Sequence, residues 1–204
     1  MNITVFGASG RTGTHVVRKA LDDGHRITAF VRDPAKLTLT HQELSVVKGD
    51  LFDLGDVEQS VKGADAVVST IGQSRKGSRH TVANGTEKMV EAMTRQGVQR
   101  IVAISTMGAG DSAKHIGFVM RTLLRTILRK QVMDHERQEG ILRDSGLDWT
   151  VVRPGSLQNE PGTGHYQVGY DLGVGRIARE DIADFILTEL KTGAHLHHTP
   201  SVIW

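Results

Sequence analysis

The chain has 204 residues, of which 38% are hydrophobic and 24% charged, and its formal net charge at pH 7 is +2. This size predicts one globular domain, and so small a charge excludes a strong electrostatic attraction to nucleic acid or to an anionic membrane surface. The absence of cysteine excludes disulfides, thiol nucleophiles and thiolate metal sites. Because neither a signal segment nor an apolar run of the ~20 residues that span a bilayer is present, we expect a cytoplasmic protein without a membrane partner.

Strand-like and helix-like segments alternate along the chain, which predicts an α/β fold: a doubly wound, mostly parallel sheet with helices on both faces. Little chain follows the sixth strand, so we expect a single domain over 1–204 whose ligand site lies at the carboxyl ends of the strands. The predicted strands are 3–6, 26–32, 44–48, 66–71, 101–105 and 149–153. The predicted helices follow the first strand, include 57–61, and occupy 81–96, most of 115–144, and 180–191. The glycine-rich stretch 156–176 is predicted to be irregular, and 200–204 is a candidate edge strand.

A glycine-rich turn, GASGRTG at residues 7–13, connects the first predicted strand to the first predicted helix. Its three glycines provide a tight turn, room for a pyrophosphate against bare backbone, and close packing of helix on strand. The helix then presents free N–H groups and a partial positive charge to a phosphate. In this context the turn predicts dinucleotide binding. The predicted cofactor contacts within it are Gly7, Ser9, Gly10, Arg11, Thr12 and Gly13.

Arg32 closes the second predicted strand, 19 residues after Gly13. An acidic residue near this place holds the ribose of NAD, whereas an arginine accommodates the 2′-phosphate of NADP through two parallel hydrogen bonds. Arg32 therefore predicts NADP(H) as the cofactor, with Arg11 as a second contact to that phosphate. Alternation along the strand directs the neighbouring Asp33 elsewhere. The alternative is that Arg32 is simply an exposed residue at a strand end.

Two further strand ends carry candidate cofactor contacts. Asp50, followed by Leu51, ends the third strand, where its carboxylate would accept from the adenine amino group or, alternatively, cap the next helix. Thr70, Ile71 and Gly72 end the fourth strand, where Gly72 would let the backbone lie against the cofactor. An ordinary strand-ending turn explains Gly72 equally well.

Six motifs, in this order along the chain, resemble the atypical, extended-type branch of the short-chain dehydrogenase/reductase superfamily. The motifs are GASGRTG (7–13), VRDP (31–34), GD (49–50), STIG (69–72), AIST (103–106) and SGLDWTVVRPG (145–155). Among the NAD(P)-binding, NmrA-like members, the chain is most similar to the biliverdin-IX-beta reductase or flavin reductase group. The resemblance implies a Rossmann-like sheet and NADPH-dependent reduction of a flavin or a tetrapyrrole.

The sequence departs from the mainstream of that superfamily at the catalytic positions. Mainstream members use a Tyr and a Lys four residues apart, and those places hold Gln131 and His135 here. The chain's two tyrosines, Tyr166 and Tyr170, lie downstream. The flavin-reductase-like group also lacks the pair, which favours that group. Its strand-ending histidine is Gly155 here, so no role of that histidine applies to this chain.

Three residues are candidates for catalysis. The resemblance implies a site Ser or Thr after the fifth strand, where Thr106 would hydrogen-bond the nicotinamide carboxamide or the acceptor, with Pro154 lining the same end. Ser105 is the neighbouring candidate, and strand alternation predicts that one of this pair faces the site. His135 is a candidate proton relay because a neutral imidazole donates and accepts near pH 7, although a helix histidine is more often exposed.

Hydride transfer to a flavin, quinone or bilin requires mainly stacking and orientation, because the cofactor provides the reacting atom. The sequence therefore predicts an NADPH-dependent reductase of a planar small-molecule acceptor. The alternatives are a non-catalytic NADP(H)-binding redox sensor and, third, a sugar-nucleotide epimerase or dehydratase. Residues 118–133 are a candidate interface, so both a monomer and a homodimer are expected forms. Two weaker patterns remain. The first is a basic stripe at four-residue spacing: Arg121, Arg125 and Arg129. The second is a histidine-rich segment, His195, His197 and His198, which we interpret as a polar tail and not a metal site.

Overall fold

A computed structural model describes residues 1–72, 81–114, 126 and 128–204, and strands and helices alternate through these ranges. The strands are β1 (Asn2–Phe6), β2 (Arg26–Val31), β3 (Leu44–Lys48), β4 (Ala66–Ser69), β5 (Arg100–Ile104), β6 (Asp148–Pro154), β7 (Ser156–Gln158), β8 (Gln167–Gly169), β9 (Arg176–Ala178) and β10 (Ser201–Ile203). The helices are α1 (Arg11–Asp22), α2 (Leu54–Val61), α3 (Thr81–Gln96), α4 (Arg129–Asp144) and α5 (Arg179–Thr192). None of the helices in these ranges is long and apolar enough to cross a bilayer.

Eight strands form the main sheet, in the order β3-β2-β1-β4-β5-β6-β10-β8. All neighbours are parallel except β10 and β8, which are antiparallel. Since β1 pairs with both β2 and β4, the winding of the chain reverses between β1 and β4. Ligands of open α/β sheets bind at such a reversal, outside the carboxyl ends of the strands. The predicted doubly wound, mostly parallel α/β fold is confirmed.

Two hydrophobic cores lie on the two faces of this sheet. Val5 packs into the core beneath α1 and α5, whereas its neighbour Phe6 packs into the core beneath α2, α3 and the end of α4. Successive strand residues point to opposite faces, so a strand covered on both sides is apolar at every position. This explains why β4 is buried along its whole length. The edge strand β3 is instead half-exposed.

The C-terminal region differs from the prediction. The strand β10 is not at an edge, because β8 pairs with it on the side away from β6. The stretch 156–176 is not wholly irregular, because it contains β7 and β8, and β7 pairs with β9 in a separate two-stranded sheet. These strands have three residues each, too few for an alternating pattern to be visible in the sequence. Of the predicted helix 115–144, residues 129–144 form α4, and most of 115–128 lies outside the described residues, together with Arg121 and Arg125.

Three strands end earlier than predicted, and this affects the site. The strand β2 ends at Val31, β4 ends at Ser69 and β5 ends at Ile104. Beyond the ends of β4 and β5 the backbone bonds to the neighbouring strand once more: Thr70 N–H donates to Phe6 O at 2.9 Å, and Ser105 N–H donates to Val152 O at 2.8 Å. The residues that follow are therefore held in place but released from strict alternation.

Two glycines in helix interiors give opposite predictions. A Cβ at Gly140 of α4 would meet no atom within 4 Å, whereas one at Gly85 of α3 would overlap the Leu51 side chain. Because alanine favours a helix over glycine, Gly140→Ala should raise the free energy of unfolding by about 0.5–1 kcal/mol. Gly85→Ala should lower it by about 1–3 kcal/mol through overpacking. Urea denaturation measures both changes, and a reversal of either sign would contradict the described packing.

Candidate functional site

The turn between β1 and α1 is built on glycine for steric reasons. Gly7 has φ +80°, and a Cβ there would lie 2.8 Å from Thr70 Oγ1. The Gly7 carbonyl accepts from Gly10 N–H at 2.8 Å, which closes the turn. A Cβ at Gly13 would overlap that same carbonyl. Helix α1 therefore sits directly against the end of β4, as the glycine spacing predicts.

The N-terminus of α1 fits a phosphate group. Its N-cap residue, Gly10, has no side chain to occupy the first N–H groups, and no acidic residue lies in the first turn. The N–H groups at the start of a helix have no acceptor within it, so those of Arg11, Thr12 and Gly13 remain available to a ligand. Together with the helix dipole, this arrangement favours an anion at that place.

A first cavity of about 350 Å³ extends from this turn toward β2 and β3. Two cationic side chains, Arg32 and Lys36, line it, and Asp50 is its one lining carboxylate among the described residues. Asp33 does not line it, because its carboxylate accepts from Ala35 N–H at 3.2 Å. The direction was predicted, but its cause is this turn and not strand alternation, since β2 has already ended at Val31. The lining residues that we predicted as cofactor contacts are Gly7, Ser9, Gly10, Arg32, Asp50, Leu51, Thr70, Ile71 and Gly72.

The alternative role considered for Asp50, capping the next helix, belongs to Asp53. The Asp53 carboxylate accepts from Asp56 N–H at 3.0 Å at the start of α2. Asp50 instead accepts from Phe52 N–H at 3.0 Å, which fixes the carboxylate at the rim of the first cavity.

A second cavity of about 600 Å³ continues from the first toward β5 and β6. The two cavities share Gly10 and the 70–72 segment, so they form one groove across the carboxyl ends of the strands. Both Ser105 and Thr106 line the second cavity, whereas alternation predicted one of them, because β5 has already ended at Ile104. The other predicted residues on this wall are Arg11, Thr12, His135 and Pro154. Gly13 lines neither cavity and acts through packing.

A buried ion network lies under the second cavity, and the sequence analysis did not find it. Ser105 Oγ donates to Glu139 Oε1 at 2.7 Å, and the Arg153 guanidinium binds both Glu139 oxygens at 2.9 and 2.7 Å. Arg153 also donates to Asp111, and this lowers the pKa of the Asp111 carboxyl. Since Glu139 and Arg153 are each 2% exposed, loss of either partner would leave an unpaired buried charge.

Helix α4 directs polar residues inward, which explains why its role was not visible from hydrophobic periodicity. Asp134 is fully buried and accepts from Val82 N–H and Ala83 N–H, so it caps α3 from a neighbouring helix. His135 is buried, whereas a helix histidine is more often exposed, and its Nδ1 lies 2.9 Å from Gln138 Oε1. Burial lowers the pKa of His135, so its imidazole is neutral at pH 7.

Neither tyrosine of the chain lines the groove. Tyr166 donates to Asp184 at 2.8 Å, and the Tyr170 hydroxyl lies 2.8 Å from His195 Nδ1. Gln131 and His135 line the second cavity at the positions of the usual Tyr and Lys. No group of histidine and acidic residues among the described positions could hold a metal ion. The segment of His195, His197 and His198 is nevertheless not a free tail, because His197 stacks edge-on against Trp149.

Of the described residues, two arginines line the second cavity, and the sequence analysis missed one of them. Arg11 lines this cavity and not the one that contains Arg32, so the two do not converge on one phosphate as predicted. Arg179, at the start of α5, lies across the same cavity, and its Nη1 donates to Leu157 O at 3.1 Å and to Asn159 Oδ1 at 2.7 Å. A single arginine at a helix start gave no signal in the sequence.

Gly155 stands where the flavin-reductase-like group has a histidine, and there is no room for a side chain at this position. A Cβ at Gly155 would lie 2.5 Å from Gly175 O.

The lowered pKa of His135 predicts a pH dependence of stability. As the pH falls, the unfolded chain takes up a proton at the ordinary histidine pKa of 6.5, before the folded protein does. The stabilisation is therefore complete above about pH 6.5 and decreases as the pH falls toward the folded pKa, by at most about 1.4 kcal/mol per pH unit. Between pH 6.5 and 5 the unfolding free energy of the wild type should fall more steeply than that of His135→Gln. The other nine histidines are common to both proteins. Parallel plots of unfolding free energy against pH would therefore contradict a pKa of His135 that burial lowers.

Comparison with known proteins identifies the family. A family model described as NAD(P)H-binding matches residues 7–192. A Bacillus subtilis (strain 168) protein, YhfK, described as an uncharacterized sugar epimerase, is 29% identical over 197 residues that cover 93% of this chain and 88% of YhfK.

Two solved structures share the fold. ChuY of Escherichia coli O157:H7, described as an anaerobilin reductase, has a TM-score of 0.86 at 22% identity and covers 100% of this chain and 97% of its own. A wide-type short-chain dehydrogenase/reductase of Veillonella parvula in complex with NADP has a TM-score of 0.82 at 20% identity and covers 100% of this chain and 94% of its own. The chain described here therefore belongs to the NAD(P)H-binding family and has a Rossmann-like fold.

Proposed function

We propose that the protein is an NADPH-dependent reductase that transfers a hydride to a planar conjugated acceptor such as a flavin, a quinone or a bilin. The observation that carries this proposal is the continuous groove. Its first cavity has the cations and the helix N-terminus that a dinucleotide needs, and its second cavity has room for an acceptor beside it. The description of ChuY as a bilin reductase supports the same reaction class for this fold.

The residues of the first cavity would hold the adenosine end of the cofactor. The backbone of Gly10 and the first N–H groups of α1 bind the pyrophosphate. Arg32, with Lys36 nearby, binds the 2′-phosphate, and Asp50 accepts from the adenine amino group. The residues of 70–72 follow the cofactor between the two cavities. When bound, NADPH provides the hydride.

Ser105 would position the nicotinamide end. Its hydroxyl hydrogen is directed to Glu139 Oε1, which as a carboxylate oxygen only accepts. Toward the cavity, Ser105 Oγ therefore acts as an acceptor, which suits the N–H of a carboxamide. Thr106 is half-buried beside it, and its weaker contact to Met107 O at 3.3 Å leaves the hydroxyl able to turn to an acceptor molecule. Pro154 forms the adjoining wall.

His135 would contact the acceptor or relay a proton to the product. It lies in the second cavity as a neutral imidazole, and Gln138 holds its ring orientation. Catalysis would then consist mainly of proximity, since the acceptor is stacked on the cofactor and water can protonate the product. Among the described residues that line the groove, no tyrosine is present to act as the acid of the mainstream superfamily.

A non-catalytic NADP(H)-binding regulator is the principal alternative, because the absence of a Tyr–Lys pair fits it equally well. A sugar-nucleotide epimerase is less compatible with a groove that neither tyrosine lines, although YhfK is described as an uncharacterized sugar epimerase. Turnover separates these candidates. We expect saturable oxidation of NADPH, followed optically, with at least one acceptor from a panel of free flavins, quinones and biliverdin isomers. Tight binding of NADPH without turnover of any acceptor would favour the regulator, and interconversion of a sugar nucleotide would favour the epimerase.

Arg32 should determine the preference for NADPH over NADH. Its guanidinium would bind the 2′-phosphate that NADH lacks, and charge-assisted hydrogen bonds of this kind contribute about 1.5–3 kcal/mol. Arg32→Ala should therefore weaken NADPH binding by roughly tenfold or more and leave NADH binding nearly unchanged, as measured by calorimetric titration.

A control for the loss of one charge is Arg26→Ala. Arg26 is the first residue of β2, whereas Arg32 follows its last residue, and Arg26 pairs with Glu43. The Arg26→Ala variant should keep the wild-type ratio of the dissociation constants of NADPH and NADH. If Arg32→Ala also keeps that ratio, the assignment of Arg32 to the 2′-phosphate is wrong.

A further inference from the structure

The described residues that line the second cavity include positively charged side chains and no negatively charged one. Of its lining residues, Arg11 and Arg179 are cationic, and no carboxylate among the described residues lines it. Among the described residues, the other titratable side chain on its wall is His135, which is neutral at pH 7 because burial lowers its pKa. An apolar or neutral ligand would leave this local excess of positive charge uncompensated.

The acidic side chains that follow Arg179 on α5, and Glu139 beneath the cavity, are engaged with other partners. Glu180 accepts from Gly162 N–H at 2.8 Å, and Asp181 accepts from Trp204 Nε1 at 2.6 Å. Asp184 pairs with Lys19 at 3.0 Å, and Glu139 is held below the cavity floor by Arg153. None of these carboxylates neutralises Arg11 or Arg179 through an ion pair within the described ranges.

Arg179 is positioned in advance of any ligand. Its Nη1 is anchored to the main-chain oxygen of Leu157 and the side-chain oxygen of Asn159. A guanidinium has five N–H donors, so the remaining donors of Arg179 can form a fork for a phosphate or carboxylate. Burial and then the charge of Arg11 lower the pKa of Arg179, so the two cations are close enough to repel each other. An anion placed between them would relieve that repulsion.

We propose that Arg11 and Arg179 form a subsite for a phosphate or carboxylate group that the acceptor carries, so that the protein selects an anionic planar acceptor over a neutral one. This inference rests on the proposed reductase function. The dinucleotide already has a place for its pyrophosphate at the bare backbone of Gly10 and for its 2′-phosphate at Arg32. Arg179 lies on the wall formed by Pro154 and Leu157, at the far end of the groove from Arg32.

The test measures binding, so that it does not depend on turnover. The full chain is saturated with NADP⁺ and titrated with two matched pairs of probes: FMN against riboflavin, and biliverdin against its dimethyl ester. Within each pair the ring system is the same and the anionic group differs, so the ratio of the two dissociation constants reports the subsite alone. We expect the wild type to bind the anionic member about tenfold more tightly or better, and Arg179→Ala and Arg11→Ala to reduce that ratio toward one.

Two further variants separate charge from structure. Arg179→Lys keeps the positive charge and should therefore retain part of the selectivity. If Arg179 acted only through its contacts to Leu157 and Asn159, this variant should lose the selectivity as fully as Arg179→Ala. Arg18→Ala removes a charge from the exposed side of α1, outside the groove, and should keep the wild-type ratio. Thermal unfolding of each variant verifies that it is folded.

Three results would overturn the proposal. The first is equal binding of the anionic and neutral members of both pairs, or no binding of either pair, by the wild type. The second is an unchanged ratio in Arg179→Ala. The third is a loss of NADP⁺ binding in Arg179→Ala with the probe ratio unchanged, which would assign the anion to the cofactor. Selective binding of an anionic probe that is never reduced by NADPH would support the subsite and contradict the reductase function, so the two claims fail separately.

Discussion

The contact between the Gly7 carbonyl and the start of α1 is the constraint on which the site depends. The Gly7 oxygen accepts from Gly10 N–H. The Thr70 hydroxyl is shared between the Gly7 oxygen, at 3.2 Å, and the Phe6 oxygen, at 3.0 Å. Only bare backbone at Gly13 lets α1 approach this oxygen. The first N–H groups of the helix are thereby placed at the reversal of the sheet, where the two cavities join.

The other end of the groove is organised by polar burial instead of glycine. Helix α4 buries Asp134 against the N-terminus of α3 and Glu139 against Arg153 of β6. These pairs fix α4 between two other elements and, through Ser105, determine the direction of a hydroxyl at the cavity floor. A buried pair is weak evidence of added stability, because desolvation offsets much of the attraction. Its clearer consequence here is the orientation of groups that face the ligand.

Much of the fold could be predicted from the sequence, because a parallel sheet covered on both sides has long apolar strands, and the glycine turn has a fixed local meaning. The residues grouped along the predicted strand ends do line one groove. Periodicity could not reveal Glu139, since it assigns buried positions to apolar residues. It could not place β8 beside β10, since that pairing joins two three-residue strands more than 30 residues apart. Nor could it show that Arg11 and Arg32 lie in different cavities, which depends on the direction of side chains in three dimensions.

The most direct test of this account is to follow the backbone amide resonances of the isotopically labelled chain by NMR while NADP⁺ is added. The account predicts chemical-shift changes at three places that are remote in sequence: the amides of 10–13, those of 70–72, and those of Ser105 and Thr106. Arg32 should respond to NADP⁺ and much less to NAD⁺. Shifts restricted to one cavity, or centred on the polar surface that His15, Arg18, Glu180 and Asp184 form between α1 and α5, would contradict the proposal that one dinucleotide occupies a continuous groove across the strand ends.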